Sequence, residues 1–134
     1  MDSEKTPHVL LIDDNVEVSH MYARAFRTHG CETRALYDAE EALKELKSGD
    51  FVPDVIVVDV MMPNMNGIEF LTELRKDPRF TSVPAVALTN MRNDEYEHQF
   101  VEAPVEFYMN KLDHEFTEIV EKIVGVIKKH QRVK

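Results

Sequence analysis

The chain has one cysteine, Cys31, no tryptophan, and no apolar run as long as a membrane-spanning helix. A single cysteine excludes an intrachain disulfide and a cysteine-rich zinc site. The lack of disulfides is typical of proteins in a reducing compartment. Basic residues are also few, 16 against 25 acidic residues, so the formal charge is -9. This charge opposes binding to nucleic acid or to an anionic membrane. The polar, acidic start is unlike a targeting signal, and we expect a cytoplasmic protein.

Five apolar runs alternate with five segments in which apolar residues recur at helical spacing. The runs lie in HVLLID, CETRALY, DVIVVD, VPAVALT and VEFYMNK. DVIVVD, residues 54–59, shows no polar alternation, as expected of a central parallel strand that is covered on both faces. The pattern predicts an α/β fold, a doubly wound five-stranded parallel sheet with five helices. We expect one domain over residues 8–130, a disordered polar leader (1–7), a polar tail (131–134) and no output domain.

Polar side chains stand where four of the predicted strands end. The first strand ends on Asp13 and Asp14, the third on Asp59, the fourth on Thr89 and the fifth on Lys111. Each alone has an ordinary explanation; for example, either acid of the first pair could cap the following helix. Ligands of open parallel sheets, however, bind outside the carboxyl ends of the strands. We therefore expect these side chains to share one site.

Three carboxylates in a partly desolvated cleft repel each other, so they either bind protons or hold a cation. Oxygen ligands without histidine favour a hard ion, and a shallow site with room for water favours Mg²⁺ over Ca²⁺. Such an ion, with Lys111 and the Thr89 hydroxyl, would offset the charge of a phosphoryl group. This arrangement predicts that Asp59 is a nucleophile that forms an acyl phosphate.

The segments LLIDDN, VVDVMMPNMNG, ALTN and FYMNK resemble the receiver domain of bacterial two-component response regulators, and the resemblance covers nearly the whole chain. It implies a CheY-like three-layer sandwich with strand order 2-1-3-4-5. It also implies that Asp59 accepts a phosphoryl group from a sensor histidine kinase or a phosphotransfer protein. Such a protein catalyses only its own phosphorylation and dephosphorylation.

The resemblance further implies the ligands of the metal ion. Asp14, Asp59 and the backbone carbonyl of Met61 would bind Mg²⁺ directly, and Asp13 would bind it through water. We expect Mn²⁺ to substitute for Mg²⁺.

The resemblance also implies a switch in which Thr89 and Lys111 bind the phosphoryl group and Tyr108 on the fifth strand follows Thr89. The switch would change the face formed by the fourth helix, fifth strand and fifth helix. A downstream protein would bind this face, and no nucleic acid or membrane would be bound directly.

Three positions depart from the family pattern. Leu112 stands where proline usually follows the lysine, Asn90 replaces a small residue, and Pro104 replaces a glycine before the fifth strand. Because of Leu112, a receiver-like adaptor that does not depend on phosphorylation remains an alternative.

Two other classes fit the sequence less well. An aspartyl phosphatase motif would have a second aspartate where Met61 stands. A nucleotide or flavin binder would need a glycine-rich or hydroxyl-rich phosphate loop, whereas DDNVEV offers acids.

Overall fold

The structure is a computed structural model that describes residues 6–89, 105–111 and 114–133. Its strands are β1 (His8–Ile12), β2 (Glu32–Leu36), β3 (Val55–Asp59), β4 (Ala85–Thr89) and β5 (Phe107–Asn110). Its helices are α1 (Val16–Thr28), α2 (Ala39–Ser48), α3 (Gly67–Leu74) and α4 (Phe116–Val133), with a 3₁₀ turn at Pro78–Phe80. The predicted fourth helix, residues 93–104, lies outside the described residues, as do Asn90 and Leu112.

All five strands form one parallel sheet in the order β2-β1-β3-β4-β5. This arrangement confirms the predicted α/β class and the strand order that the resemblance implied. The central strand β3 is buried at every position, as its uniformly apolar sequence predicted. In the described ranges, no helix combines the length and apolar character needed to cross a membrane.

The core has two layers, one on each face of the sheet, because alternate strand residues point to opposite faces. On one face, Leu10, Ile12, Ile56 and Val58 pack with residues of α2 and α3. On the other, Val9, Leu11, Val55 and Val57 pack with residues of α1 and α4. With both faces covered, the carboxyl edge of the sheet remains as the place where strand-end side chains meet.

The loop between β1 and α1 leaves Asp13 and Asp14 available to form a site at this edge of the sheet. The helix cap is Asn15, whose side-chain oxygen accepts a hydrogen bond from the Val18 N–H at 3.0 Å. The alternative that Asp13 or Asp14 caps this helix is therefore wrong. The reason is the backbone, which is still extended at Asn15.

The loop from β3 to α3 closes tightly over the end of β3. Asn66 and Glu69 form a reciprocal capping box at the start of α3, with hydrogen bonds of 2.8 and 2.9 Å. Gly67 follows, and a Cβ atom there would lie 2.5 Å from the Asp59 carbonyl oxygen. Only glycine allows the helix to begin this close to the strand.

Candidate functional site

Three aspartates meet at the carboxyl edge of the sheet. Ile12 of β1 pairs with Val58 of β3, and this register brings the residues that follow Ile12 beside Asp59. One carboxylate oxygen from each of Asp13, Asp14 and Asp59 lies within 4.8 Å of the others. Asp13 and Asp59 are buried, whereas Asp14 is exposed to solvent. The cluster therefore has a buried floor and one open side.

Lys111 supplies a positive charge to this cluster. Its Nζ lies 3.4 Å from Asp13 Oδ2 and 3.7 Å from Asp59 Oδ2. Its backbone N–H donates to the Thr89 carbonyl at 2.7 Å, which fixes the end of β5 beside the end of β4. Thr89, also buried, directly follows Leu88, the register partner of Asp59. The structure thus brings Asp59, Thr89 and Lys111 to neighbouring positions.

The two carboxylate oxygens of Asp59 have different surroundings. Oδ1 accepts a hydrogen bond from the Met61 backbone N–H at 3.0 Å, and Oδ2 faces Lys111. Burial raises the pKa of Asp59 to about 6, and the charges of Asp13 and Asp14 add to this increase. Lys111 and the Met61 N–H act in the opposite direction. Near neutral pH the side chain is therefore mainly a carboxylate, and it can act as a nucleophile.

The β3–α3 loop forms a depression that begins at Val60, the residue after Asp59. Val60, Met61, Met62, Pro63 and Asn66 line this depression of about 410 Å³. The Met61 side chain is 48% exposed on its rim, whereas Met62 is buried in the core below.

Tyr108 lies on β5 opposite Ala87 of β4, and it is 37% exposed. Two residues further on, Asn110 pairs with Thr89. Since side chains two apart along a strand point the same way, Tyr108 stands on the same side of the sheet as Asn110. The structure places it near the Thr89 end of β4, but at the surface.

Tyr22, a buried residue of α1, is not among the site residues predicted from the sequence. Burial raises the pKa of Tyr22 to about 12, and the negative charges of Asp13 and Asp59 contribute to the increase. The phenol therefore lies within the electric field of the acidic cluster. The helical pattern of the sequence does not indicate this proximity, because it does not specify how the helices pack around the site.

The donor set fits a hard divalent cation. All three side chains offer carboxylate oxygens, which Mg²⁺ prefers, and the exposed side at Asp14 leaves room for its water ligands. Asp13, Asp14 and Asp59 are the described side chains that could hold such an ion.

The fold and the site define a doubly wound α/β protein with an acidic cluster, a threonine and a lysine at the carboxyl edge of its sheet. The chain belongs to the response regulator receiver domain family, whose model matches residues 9–124. Receiver domains are signalling modules of two-component systems and generally bind Mg²⁺ through acidic residues.

Known proteins that resemble this chain agree with that assignment. It is 32% identical over 103 residues to the sensor histidine kinase CheAY of Helicobacter pylori, a match over 77% of this chain and 13% of that protein. It is 35% identical over 81 residues to the two-component response regulator ORR12 of Oryza sativa subsp. japonica, with 60% and 66% covered. It therefore spans less than two thirds of the length of either relative.

Among solved structures, the receiver domain of the Francisella response regulator 1452 superimposes with a TM-score of 0.77 at 27% identity, covering 92% of this chain and 98% of that one.

Proposed function

We propose that this chain is a phosphorylation switch of a two-component phosphorelay and that Asp59 is its phosphoacceptor. The observation that carries the proposal is the asymmetric setting of the Asp59 carboxylate. The Met61 N–H holds one oxygen, Lys111 faces the other, and two more acids lie beside it. Asp59 is thus a buried nucleophile that lies next to the Lys111 ammonium and to a cluster of acids that can bind a metal ion. Such an arrangement suits phosphoryl transfer, because positioning and charge neutralisation dominate the catalysis of that reaction.

In this reaction, the phosphodonor is a phosphohistidine on a sensor kinase or a phosphotransfer protein. An Asp59 carboxylate oxygen attacks the phosphorus, the P–N bond breaks, and the imidazole leaves. The Lys111 ammonium and the Thr89 hydroxyl bind the phosphoryl oxygens as the donor departs. The pKa of about 6 supports this role because Asp59 is mostly ionised at neutral pH.

Asp14, Asp59 and the backbone carbonyl of Met61 bind Mg²⁺ or Mn²⁺ directly in this proposal, and Asp13 acts through water. The bound ion supplies positive charge that offsets the repulsion between the carboxylates and the incoming phosphoryl group. The mutual proximity of the three acids supports this assignment.

For the output, Thr89 moves toward the phosphoryl group and Tyr108 follows it. The partial exposure of Tyr108 supports such a movement, since its ring is not enclosed by the core. The change alters the face made by the predicted fourth helix (residues 93–104), by β5, and by α4, which is the fifth helix of the sequence prediction. A downstream protein in the cytoplasm then binds this face. The formal charge of -9 favours a protein partner over nucleic acid.

Intact mass spectrometry after incubation with acetyl phosphate tests the proposal. Wild type should gain one phosphoryl group only with Mg²⁺, and Asp59→Asn should gain none. Asp50→Asn, a change at an exposed aspartate after α2, serves as the matched control and should behave as wild type. No uptake in wild type would instead favour the adaptor that works without phosphorylation.

A further inference from the structure

Tyr22 joins α1 to the first residue of α4. Its side chain is buried, 3% exposed, and its ring centroid lies 4.7 Å from that of Phe116 at an interplanar angle of 46°. On its other side the ring stacks on Phe26 at 6.3 Å. Aromatic pairs at such distances add stability beyond the burial of their area. The contact therefore fixes the start of α4 against α1.

The first turn of α1 is in turn attached to the acidic cluster. The Asn15 N–H donates to Asp13 Oδ1 at 2.9 Å, and the buried Ser19 hydroxyl donates to the Asn15 carbonyl at 2.9 Å. Tyr22 follows Ser19 by three residues, so it projects from the same side of the helix. Its position relative to Asp13 is thus set by a short, hydrogen-bonded stretch of chain.

On the far side of the contact, Phe116 follows Lys111 by only five residues. Lys111 itself is anchored to β4 through its N–H, which donates to the Thr89 carbonyl. The chain after Lys111 therefore enters α4 at a point that Tyr22 holds. Without this second anchor, the turn that carries Lys111 would be held only from the β5 side, so both its backbone hydrogen bond to Thr89 and the orientation of its side chain would be less well fixed.

We propose that Tyr22 is a positioning residue that keeps the Lys111 ammonium between Asp13 and Asp59 by anchoring Phe116 with its ring. The inference rests on the proposed function, in which Lys111 binds the phosphoryl group. Burial, together with the neighbouring acids, raises the pKa of the phenol and keeps it protonated, so the residue fills this space without adding a charge to the site. The ring, rather than the hydroxyl, performs the role.

The test compares Tyr22→Leu, which removes the ring contact, with Tyr22→Phe, which keeps it. With acetyl phosphate and Mg²⁺, Tyr22→Leu should phosphorylate more slowly than wild type, by roughly two- to tenfold, the range that corresponds to loss of a favourable aromatic pair from the positioning of Lys111. The Mg²⁺ concentration that gives half the maximal rate should not change. Tyr22→Phe should retain the wild-type rate within about twofold. Phe51→Leu, at a half-buried aromatic before β3, is the control and should retain the rate.

A double-mutant cycle shows whether Tyr22 acts through Lys111. In a Lys111→Ala background, Tyr22→Leu should cause no further loss of rate, because residues that act as one unit are not additive. An equal loss in both backgrounds would overturn the inference, and so would an equal loss in Tyr22→Phe and Tyr22→Leu.

Amide hydrogen exchange gives a readout that needs no phosphoryl group. Exchange of the Lys111 N–H should accelerate about tenfold in Tyr22→Leu, with core amides of β3 unchanged. Should Tyr22→Leu not fold, Phe116→Leu removes the same contact from α4. Absence of phosphorylation in wild type would contradict the proposed function, whereas unaltered Lys111 exchange in both leucine variants would contradict the anchoring by Tyr22.

Discussion

The Lys111 Nζ is shared between Asp13 Oδ2 at 3.4 Å and Asp59 Oδ2 at 3.7 Å. Both carboxylates are buried, and buried charges require a partner. Neither distance is that of a short charge-assisted hydrogen bond, which would be about 2.7 to 2.9 Å. The ammonium can therefore move toward a third anion between the acids without breaking a strong contact.

Replacement of Lys111 by methionine should slow phosphorylation of Asp59 strongly. Loss of one preorganised donor to transition-state charge typically lowers the rate by about 10²-fold. The rate should be measured by intact mass against time with acetyl phosphate and saturating Mg²⁺. Lys76→Met is the matched control, since Lys76 pairs with Glu73 at the surface. A Lys111→Met rate near that of wild type would exclude a role for this ammonium in the transfer.

Asp59→Asn should stabilise the metal-free protein at neutral pH. Burial raises the folded-state pKa of Asp59 to about 6, above its value in the unfolded chain. Ionisation of Asp59 therefore costs folding free energy, and this cost is absent below about pH 4 and complete above about pH 6. After allowance for solvent screening, we expect a gain of roughly 1 to 2 kcal/mol at pH 7.5.

Denaturant unfolding at pH 7.5 and pH 4, with a chelator present, measures this effect. The stability difference between wild type and Asp59→Asn should nearly vanish at pH 4. A constant difference at both values would show that packing, not ionisation, is responsible.

The sheet and the meeting of the acids were predictable because parallel strands end at one edge, so polar residues after several strands must lie close together. The uniformly apolar β3 sequence indicated a central strand, and it is one. The cap of α1 was not predictable, since Asp13, Asp14 and Asn15 are all good caps and only the backbone at Asn15 selects it. The role of Tyr22 depends on how α1 and α4 cross, which a periodic pattern does not specify.

Mg²⁺ should raise the thermal stability of the protein through the acidic cluster. A ligand that binds the native state and is present at about 100 times its dissociation constant raises the free energy of unfolding by about 2.7 kcal/mol. The gain should be reversed by a chelator and largely lost in Asp14→Asn, whose carboxylate lies on the open side of the cluster. Glu17→Gln, which alters an exposed acid of α1 outside the cluster, should retain it. If Mg²⁺ stabilised Asp14→Asn and Glu17→Gln equally, the cation would bind outside the acidic cluster.

Gly67→Ala should destabilise the fold and impair the site together. The added Cβ would lie 2.5 Å from the Asp59 carbonyl oxygen and 3.0 Å from Val58 Cγ2, so α3 must move away from β3. Such overpacking costs about 1 to 3 kcal/mol, and the shift would disturb the Met61 N–H that holds Asp59 Oδ1. Unfolding in urea and the rate of phosphorylation by acetyl phosphate measure the two effects.

Gly125→Ala is the matched control, because a Cβ at Gly125 in α4 would have no atom of the described residues within 4 Å apart from its chain neighbours and the nearby backbone of its own helix. That change should stabilise the protein by about 0.5 to 1 kcal/mol, since alanine favours a helix interior over glycine. The phosphorylation rate should stay at the wild-type value. If Gly67→Ala instead matched this control in stability and rate, the close approach of α3 to Asp59 would not be required for the site, and the capping box at Asn66 alone would suffice to position the loop.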